Sequence, residues 1–368
     1  MPFAEPSGPM NETTAAETTW PRLGLRRAAF AGLLAALALA FLLALMLGSV
    51  SIPFEDVVRI LLGGEGARAT WTDIVWKFRV PKALTAALAG AALAVSGLQM
   101  QTLFRNPLAD PFVLGVSSGA SLGVALVVLS AGTAGRLLVE GLGLFGDLGL
   151  AAAASAGAGL VLAAVLFVSR RVQNTLTLLI LGLMFGYLTS ALVSLLIYFS
   201  APERVQAFSL WSAGSFGGVT WSQMRVFAPT VLAGLGLALI LPKPLNAFLL
   251  GETYARSLGV NVPRTRRLIL LSASLLAGVV TAFCGPVGFI GVAVPHLCRS
   301  IFNSGDHRVL VPTSLMLGAT VALVADIIAQ LPGTGQVLPV NVITSLFGVP
   351  VILWVLLRQR QLRGSFAG

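Results

Sequence analysis

The feature that most constrains this chain is the return of long apolar stretches along nearly its whole length. They fall at about 28–50, 83–104, 113–131, 148–168, 176–199, 224–241, 267–284, 289–302, 309–330 and 338–357. A hydrocarbon core needs roughly 20 apolar residues of helix to cross it. Backbone polar groups in lipid must be satisfied inside the segment, so runs of this kind fold as spanning helices. The chain reads as all-α and polytopic, with about ten transmembrane helices. The eighth stretch is short and follows Gly285-Pro286-Val287-Gly288, so it is expected to start as a broken helix. The first stretch, from Ala28 to Val50, exceeds the roughly 7 to 15 residues of a signal-peptide core and reads as a retained span. Composition agrees, since 56% of residues are hydrophobic and only 10% are charged, against roughly a quarter charged in soluble domains. The 40 Gly and 19 Pro would signal disorder in water, but packed spanning helices tolerate both.

A net charge of +10 could point to nucleic acid, so the placement of the cations decides. With ten spans and both termini cytoplasmic, sixteen of the 24 Lys and Arg lie on the inner side, the bias that orients membrane proteins. Membrane topology therefore accounts for the charge, and no nucleic-acid partner is implied. The organisation that follows is a cytoplasmic polar tail at 1–27, a transmembrane domain at 28–360 and a cytoplasmic tail at 361–368. Five of the eight outer cations cluster between Arg59 and Lys82, beside Trp71 and Trp76. That loop suits either an interfacial anchor or a docking surface.

Several motifs fail as chemistry. Gly141, Gly143 and Gly146 match a dinucleotide-binding spacing, but they join two spans and no acidic residue follows at the required distance. No phosphate-cradling G-x-x-x-x-G-K-[ST] occurs, so any ATP hydrolysis would belong to another chain. His296 and His307 lack neighbours at ligand spacing, and structural hydrogen bonding is expected of both, with no metal. Cys284 and Cys298 read as small core residues. Asp326 is a carboxylate within a span, open to either a structural or a transport role. With one His and one carboxylate in the spans, no catalytic constellation can be assembled, and an intramembrane enzyme is a poor fit. An ion-gradient-driven secondary transporter is the better alternative, though paired intramembrane ionisable groups are missing.

Gly115, Gly119 and Gly123 repeat every four residues with Ser117 and Ser118 between them. The stripe suits close helix packing or a polar pathway wall. The polar stretch from Leu249 to Val260 is too short to cross, and Leu249, Leu250, Thr253 and Leu258 are expected on one face of a short helix stopped by Gly259.

Specific segments then resemble the FecCD-type permeases of ABC importers for iron-siderophores, haem and cobalamin. They are Arg79-Val80-Pro81-Lys82, Gly90 to Gly97, Asn106-Pro107-Leu108-Ala109-Asp110-Pro111, Leu114 to Ala120, Gly251-Glu252 with Leu258-Gly259-Val260, Gly288-Phe289-Ile290-Gly291 with Val294-Pro295-His296, and Asp306-His307-Arg308. The resemblance implies a multi-pass permease of the bacterial inner membrane working by alternating access. It implies a second permease subunit, by preference an identical one, two ATPase subunits carrying ATP and Mg, and a periplasmic or lipid-anchored binding protein. It places a coupling helix at about 249–258, with Leu249, Gly251, Glu252, Ala255, Leu258 and Gly259 meeting the ATPase. It puts Asn106, Leu108, Thr175 and Leu176 at a cytoplasmic gate, and Arg79 and Lys82 at the binding-protein dock. Three positions depart from the family pattern: Lys82 and Gln330 stand where Arg is usual, and Asn341 where Gly is common.

Overall fold

The computed structural model describes residues 20–129, 146–169, 175–331 and 337–364. Each of the ten apolar stretches lies on a helix. In chain order, α1 (Trp20–Met46) is followed by the short α2 (Phe54–Leu61). Next, α3 (Ala69–Asp73) runs through a π-helical segment, Ile74–Arg79, into α4 (Val80–Leu103). This makes one continuous helix of 35 residues, so the cation-rich loop of the sequence reading is in large part an N-terminal extension of the second span.

A 3-10 turn at Pro111–Leu114 leads to α5 (Val116–Val128), then α6 (Gly146–Ser169), α7 (Thr175–Tyr198), α8 (Pro202–Ser212) and α9 (Trp221–Leu239). Two short helices, α10 (Pro242–Leu249) and α11 (Glu252–Ser257), precede α12 (Val262–Cys284), α13 (Ile290–Phe302), α14 (His307–Ala329) and α15 (Val340–Gly364). Among the described residues seven helices are long and apolar enough to span, while α5, α13 and the apolar part of α15 are shorter.

The short helices have local causes. The third stretch was expected to span from residue 113, but α5 has only 13 residues. Gly115 sits at φ +73, a left-handed conformation that separates the 3-10 turn from the helix. Likewise α13 has 13 residues and starts after Phe289 at φ +69, so the broken eighth span is present. Asn341 supports that break, because its Oδ1 accepts the Gly288 N–H at 3.1 Å. This gives the unusual Asn a physical role: it satisfies a backbone donor left over where the helix is interrupted.

Helix approach is set by small residues. A methyl at Gly90 would overlap the Gly318 carbonyl, and one at Gly97 would overlap Gly291. Hence α4 lies in backbone contact with both α14 and α13, where a membrane bundle gains its packing energy. Among the described residues two large hydrophobic cores result, beside a small cluster of Leu33, Phe302 and Met316. One gathers α1, α2, most of α4, α9, α13, α14 and α15. The other gathers the end of α4 from Met100, together with α5, α6, α7, α10 and much of α12. Cys284 and Cys298 are buried and unbridged.

Candidate functional site

At one end of the bundle, the segment expected to be a single coupling helix is two helices. Gly251 has φ +102 and divides α10 from α11, a conformation that side-chain-bearing residues rarely adopt. Leu249, Leu250, Tyr254 and Leu258 are exposed around this bend, whereas Ala255 is fully buried in the second core. Gly259, at φ +81, turns the chain toward α12.

Polar ties fix the bend from two directions, and Arg105 packs over it. Arg266 on α12 donates from Nη2 to both Glu252 oxygens at 2.6 and 2.5 Å. The Arg105 guanidinium lies over Gly251, where an added methyl would meet Nη1 at 3.3 Å. Asn246 on α10 donates to Asp306 at 2.7 Å and accepts from the His307 N–H at 2.9 Å. The His307 ring continues the chain, with Nδ1 2.7 Å from Asn246 Oδ1 and Nε2 2.7 Å from Thr102 Oγ1 on α4. The Asn246 amide and the Arg308 N–H hold the Asp306 carboxyl below the usual carboxylate range. Helix α10 is thus tied to α14 and α4 through hydrogen bonds, and α11 to α12 through an ion pair.

Beside this bend, Asn106 Oδ1 accepts the Leu108 N–H at 3.0 Å, and Leu108 is exposed. His296 Nε2 meets the Pro107 carbonyl at 2.8 Å, while Asp110 caps Phe112 at 2.9 Å. This loop is therefore fastened to α13 and closed on itself. Thr175 and Leu176 open α7, but their side chains lie outside the described residues. Both histidines have the structural bonding expected of them.

The glycine stripe packs in this conformation. A methyl at Gly119 would meet the Gly157 carbonyl at 2.6 Å, and one at Gly115 the Gly182 carbonyl at 2.9 Å. Ser117 is buried, and Ser118 faces Gly186. Gly115 and Gly119 thus seat α5 against α7 and α6.

At the other end, Arg79 and Lys82 do not project outward as free cations. Arg79 is 8% exposed and donates to the carbonyls of Leu45 (2.6 Å), Met46 (2.9 Å) and Val50. It closes the C-terminus of α1, where orphan carbonyls favour a cation. Lys82 Nζ pairs with Asp326 Oδ1 at 3.1 Å, and Gln330 Nε2 holds Asp326 Oδ2 at 2.8 Å. Arg79, Lys82 and Gln330 line a crevice of about 300 Å3 with Gly48, Ser49 and Val50. The carboxylate that stood alone in the sequence is fully partnered. Adjacency of Lys82 and Asp326 has no local signal, since 244 positions of chain order hide it; their shared placement at outer span ends was the available hint.

Residues 36–358 match the FecCD transport family. The vitamin B12 import system permease protein BtuC of Klebsiella pneumoniae is 38% identical over 297 residues, covering 81% of this chain and 86% of that protein. BtuC of Citrobacter koseri is 38% identical over 78% of this chain and 84% of its own length. A solved structure described as an inward-facing conformation of a transporter provisionally assigned to the metal-chelate ABC type superposes with a TM-score of 0.77. It is 29% identical and covers 90% of this chain and 99% of its own.

Proposed function

The chain belongs to the FecCD transport family, and from that premise we propose that it is the permease of an ATP-driven, binding-protein-dependent importer whose cargo is a vitamin B12-type corrinoid. The single observation that carries the cargo is the 38% identity to B12 import permeases over about four-fifths of the chain. A permease is a transport subunit and not an enzyme, so hydrolysis falls to two ATPase chains that hold ATP and Mg. The setting is the bacterial inner membrane, with both termini cytoplasmic.

The exposed bend formed by Leu249, Gly251, Glu252, Leu258 and Gly259, seated through Ala255, suits the ATPase contact. Its exposed apolar side chains are otherwise unexplained on a polar connection. Asn106 and Leu108, with Thr175 and Leu176 at the start of α7, form the cytoplasmic gate. Helix α7 leaves Ile180, Leu183, Tyr187, Leu188 and Leu195 exposed along its length, a face suited to a second copy of this chain across a shared pathway. A periplasmic binding protein would dock at the outer crevice, where an incoming carboxylate competes with Asp326 for Lys82 while Arg79 braces the wall.

The test is uptake into proteoliposomes holding this chain, its ATPase and its binding protein. ATP-dependent accumulation of labelled cyanocobalamin is expected. Accumulation of a ferric siderophore or haem with cyanocobalamin excluded would overturn the cargo, and robust ATP hydrolysis by the purified chain alone would overturn the division of labour.

A further inference from the structure

A second crevice, of about 350 Å3, opens where α6 ends and α12 begins. It is lined by Leu166, Arg264, Arg267, Leu268 and Leu271. Its residues are ordered along the helix axis. Arg264 and Arg267 stand in the first turns of α12, with Leu268 and Leu271 one turn further in, each four positions from an arginine. Residues four apart share a helix face, so cationic heads lie at the membrane edge and leucines follow toward its middle. Leu166, near the end of α6, forms the opposite wall.

The charges here are available. Arg266, between them in sequence, is turned inward and spent on Glu252. Arg264 and Arg267 are exposed, and among the described residues neither pairs with a carboxylate. Among the described residues, the one side-chain bond of the pair runs from Arg267 Nε to the Pro263 carbonyl of its own helix at 3.2 Å. Two guanidinium groups that need an anion therefore stand above an apolar slot that needs acyl chains. Arginine forks bind phosphate oxygens in pairs, and basic pockets between spanning helices are suited to anionic headgroups.

We infer that this crevice binds an anionic phospholipid, with the headgroup phosphate on Arg264 and Arg267 and an acyl chain along Leu166, Leu268 and Leu271. The lipid fits better than a free phosphate, which would leave the leucine slot uncovered, and better than a protein carboxylate for the same reason.

The experiment is native mass spectrometry of the full chain in detergent, titrated with dioleoylphosphatidylglycerol or dioleoylphosphatidylcholine. Wild type is expected to retain the anionic lipid at roughly tenfold lower concentration than the zwitterionic one, as two charge-assisted contacts imply. Arg264→Gln/Arg267→Gln should abolish that preference, and Arg264→Lys/Arg267→Lys should retain part of it. Arg59→Gln/Arg225→Gln, which removes two cations far along the chain, should leave it intact. Glycerol 1-phosphate should fail to compete. Equal retention of both lipids by wild type overturns the inference without any variant needing to fold. Loss of preference in the Arg59/Arg225 variant, or full competition by glycerol 1-phosphate, overturns it as well.

Discussion

Replacing Lys82 with Met tests how much this end of the bundle depends on the Lys82–Asp326 ion pair. Asp326 has a side chain 3% exposed, and Lys82 Nζ stands 3.1 Å from it with 21% of its side chain exposed. At an effective dielectric near 20, a unit pair at that distance is worth about 5 kcal/mol before desolvation is counted. Removing one partner of such a pair typically costs about 3–5 kcal/mol, because the survivor is stranded. The asymmetry in exposure predicts an order. Lys82→Met leaves a carboxylate with only Gln330 for company and should fall in that range. Asp326→Asn keeps an acceptor for Gln330 and leaves an ammonium that can swing into the crevice, costing about 1–2 kcal/mol. The double variant should therefore be more stable than Lys82→Met alone by about 2 kcal/mol. Reversible unfolding in mixed detergent micelles reads all four proteins. If Lys82→Met is no worse than Asp326→Asn, or if adding Asp326→Asn to it restores nothing, the pair is not the interhelical tie described here.

Gly119→Val should drive a side chain into the Gly157 carbonyl and cost about 1–3 kcal/mol or more in thermal unfolding, whereas Gly159→Ala, with open space around it, should be neutral or slightly stabilising. Leu249→Asp and Leu258→Asp should leave the isolated chain as stable as wild type but abolish co-purification with the ATPase, while Ala255→Asp should fail to fold, because that site is fully buried. Asn246→Ala should weaken the α10–α14 tie by about 1–3 kcal/mol. It should also weaken an acid dependence: a carboxyl held low in the folded state stabilises above its unfolded pKa of about 3.9 and loses that contribution as pH falls below it. Acid titration of unfolding in wild type and Asn246→Ala reads the difference at Asp306.

The spans were legible because hydropathy is a one-dimensional property, and each of the ten stretches carries a helix. Gly-Pro-Val-Gly before residue 289 likewise announced an interrupted helix, since its backbone chemistry is local. The reading failed where a residue's meaning depends on a partner distant in the chain. Asp326 looked solitary because Lys82 belongs to another span, and Asn341 looked arbitrary because the donor it satisfies, Gly288, lies across the fold. Arg79 has the charge and position of a docking cation, yet its guanidinium serves the carbonyls ending α1. Apolar spacing alone reads 249–258 as one helix; Gly251 divides it, a choice that a glycine in sequence permits without requiring.

The two cores bear on how a permease can move. Packed cores do not deform continuously, so a conformational cycle displaces blocks relative to one another. Within the first core, α4 is locked to α14 and α13 by glycine contacts that admit no methyl group, and these helices must travel together. Within the second, α5 is locked to α6 at Gly119 and Gly157 in the same way. Both α4 and α12 contribute side chains to each core, the division on α4 falling between Leu98 and Met100. At that division Gln99 donates to Ser272 on α12 at 3.0 Å, and Ser272 donates to the Gly234 carbonyl on α9 at 3.0 Å. A polar relay at a boundary between apolar blocks can exchange partners at less cost than interlocked backbones can separate. The Gln99–Ser272 level is therefore a joint between the two cores that rests on exchangeable hydrogen bonds, whereas α4 and α14 are joined by interlocked backbone.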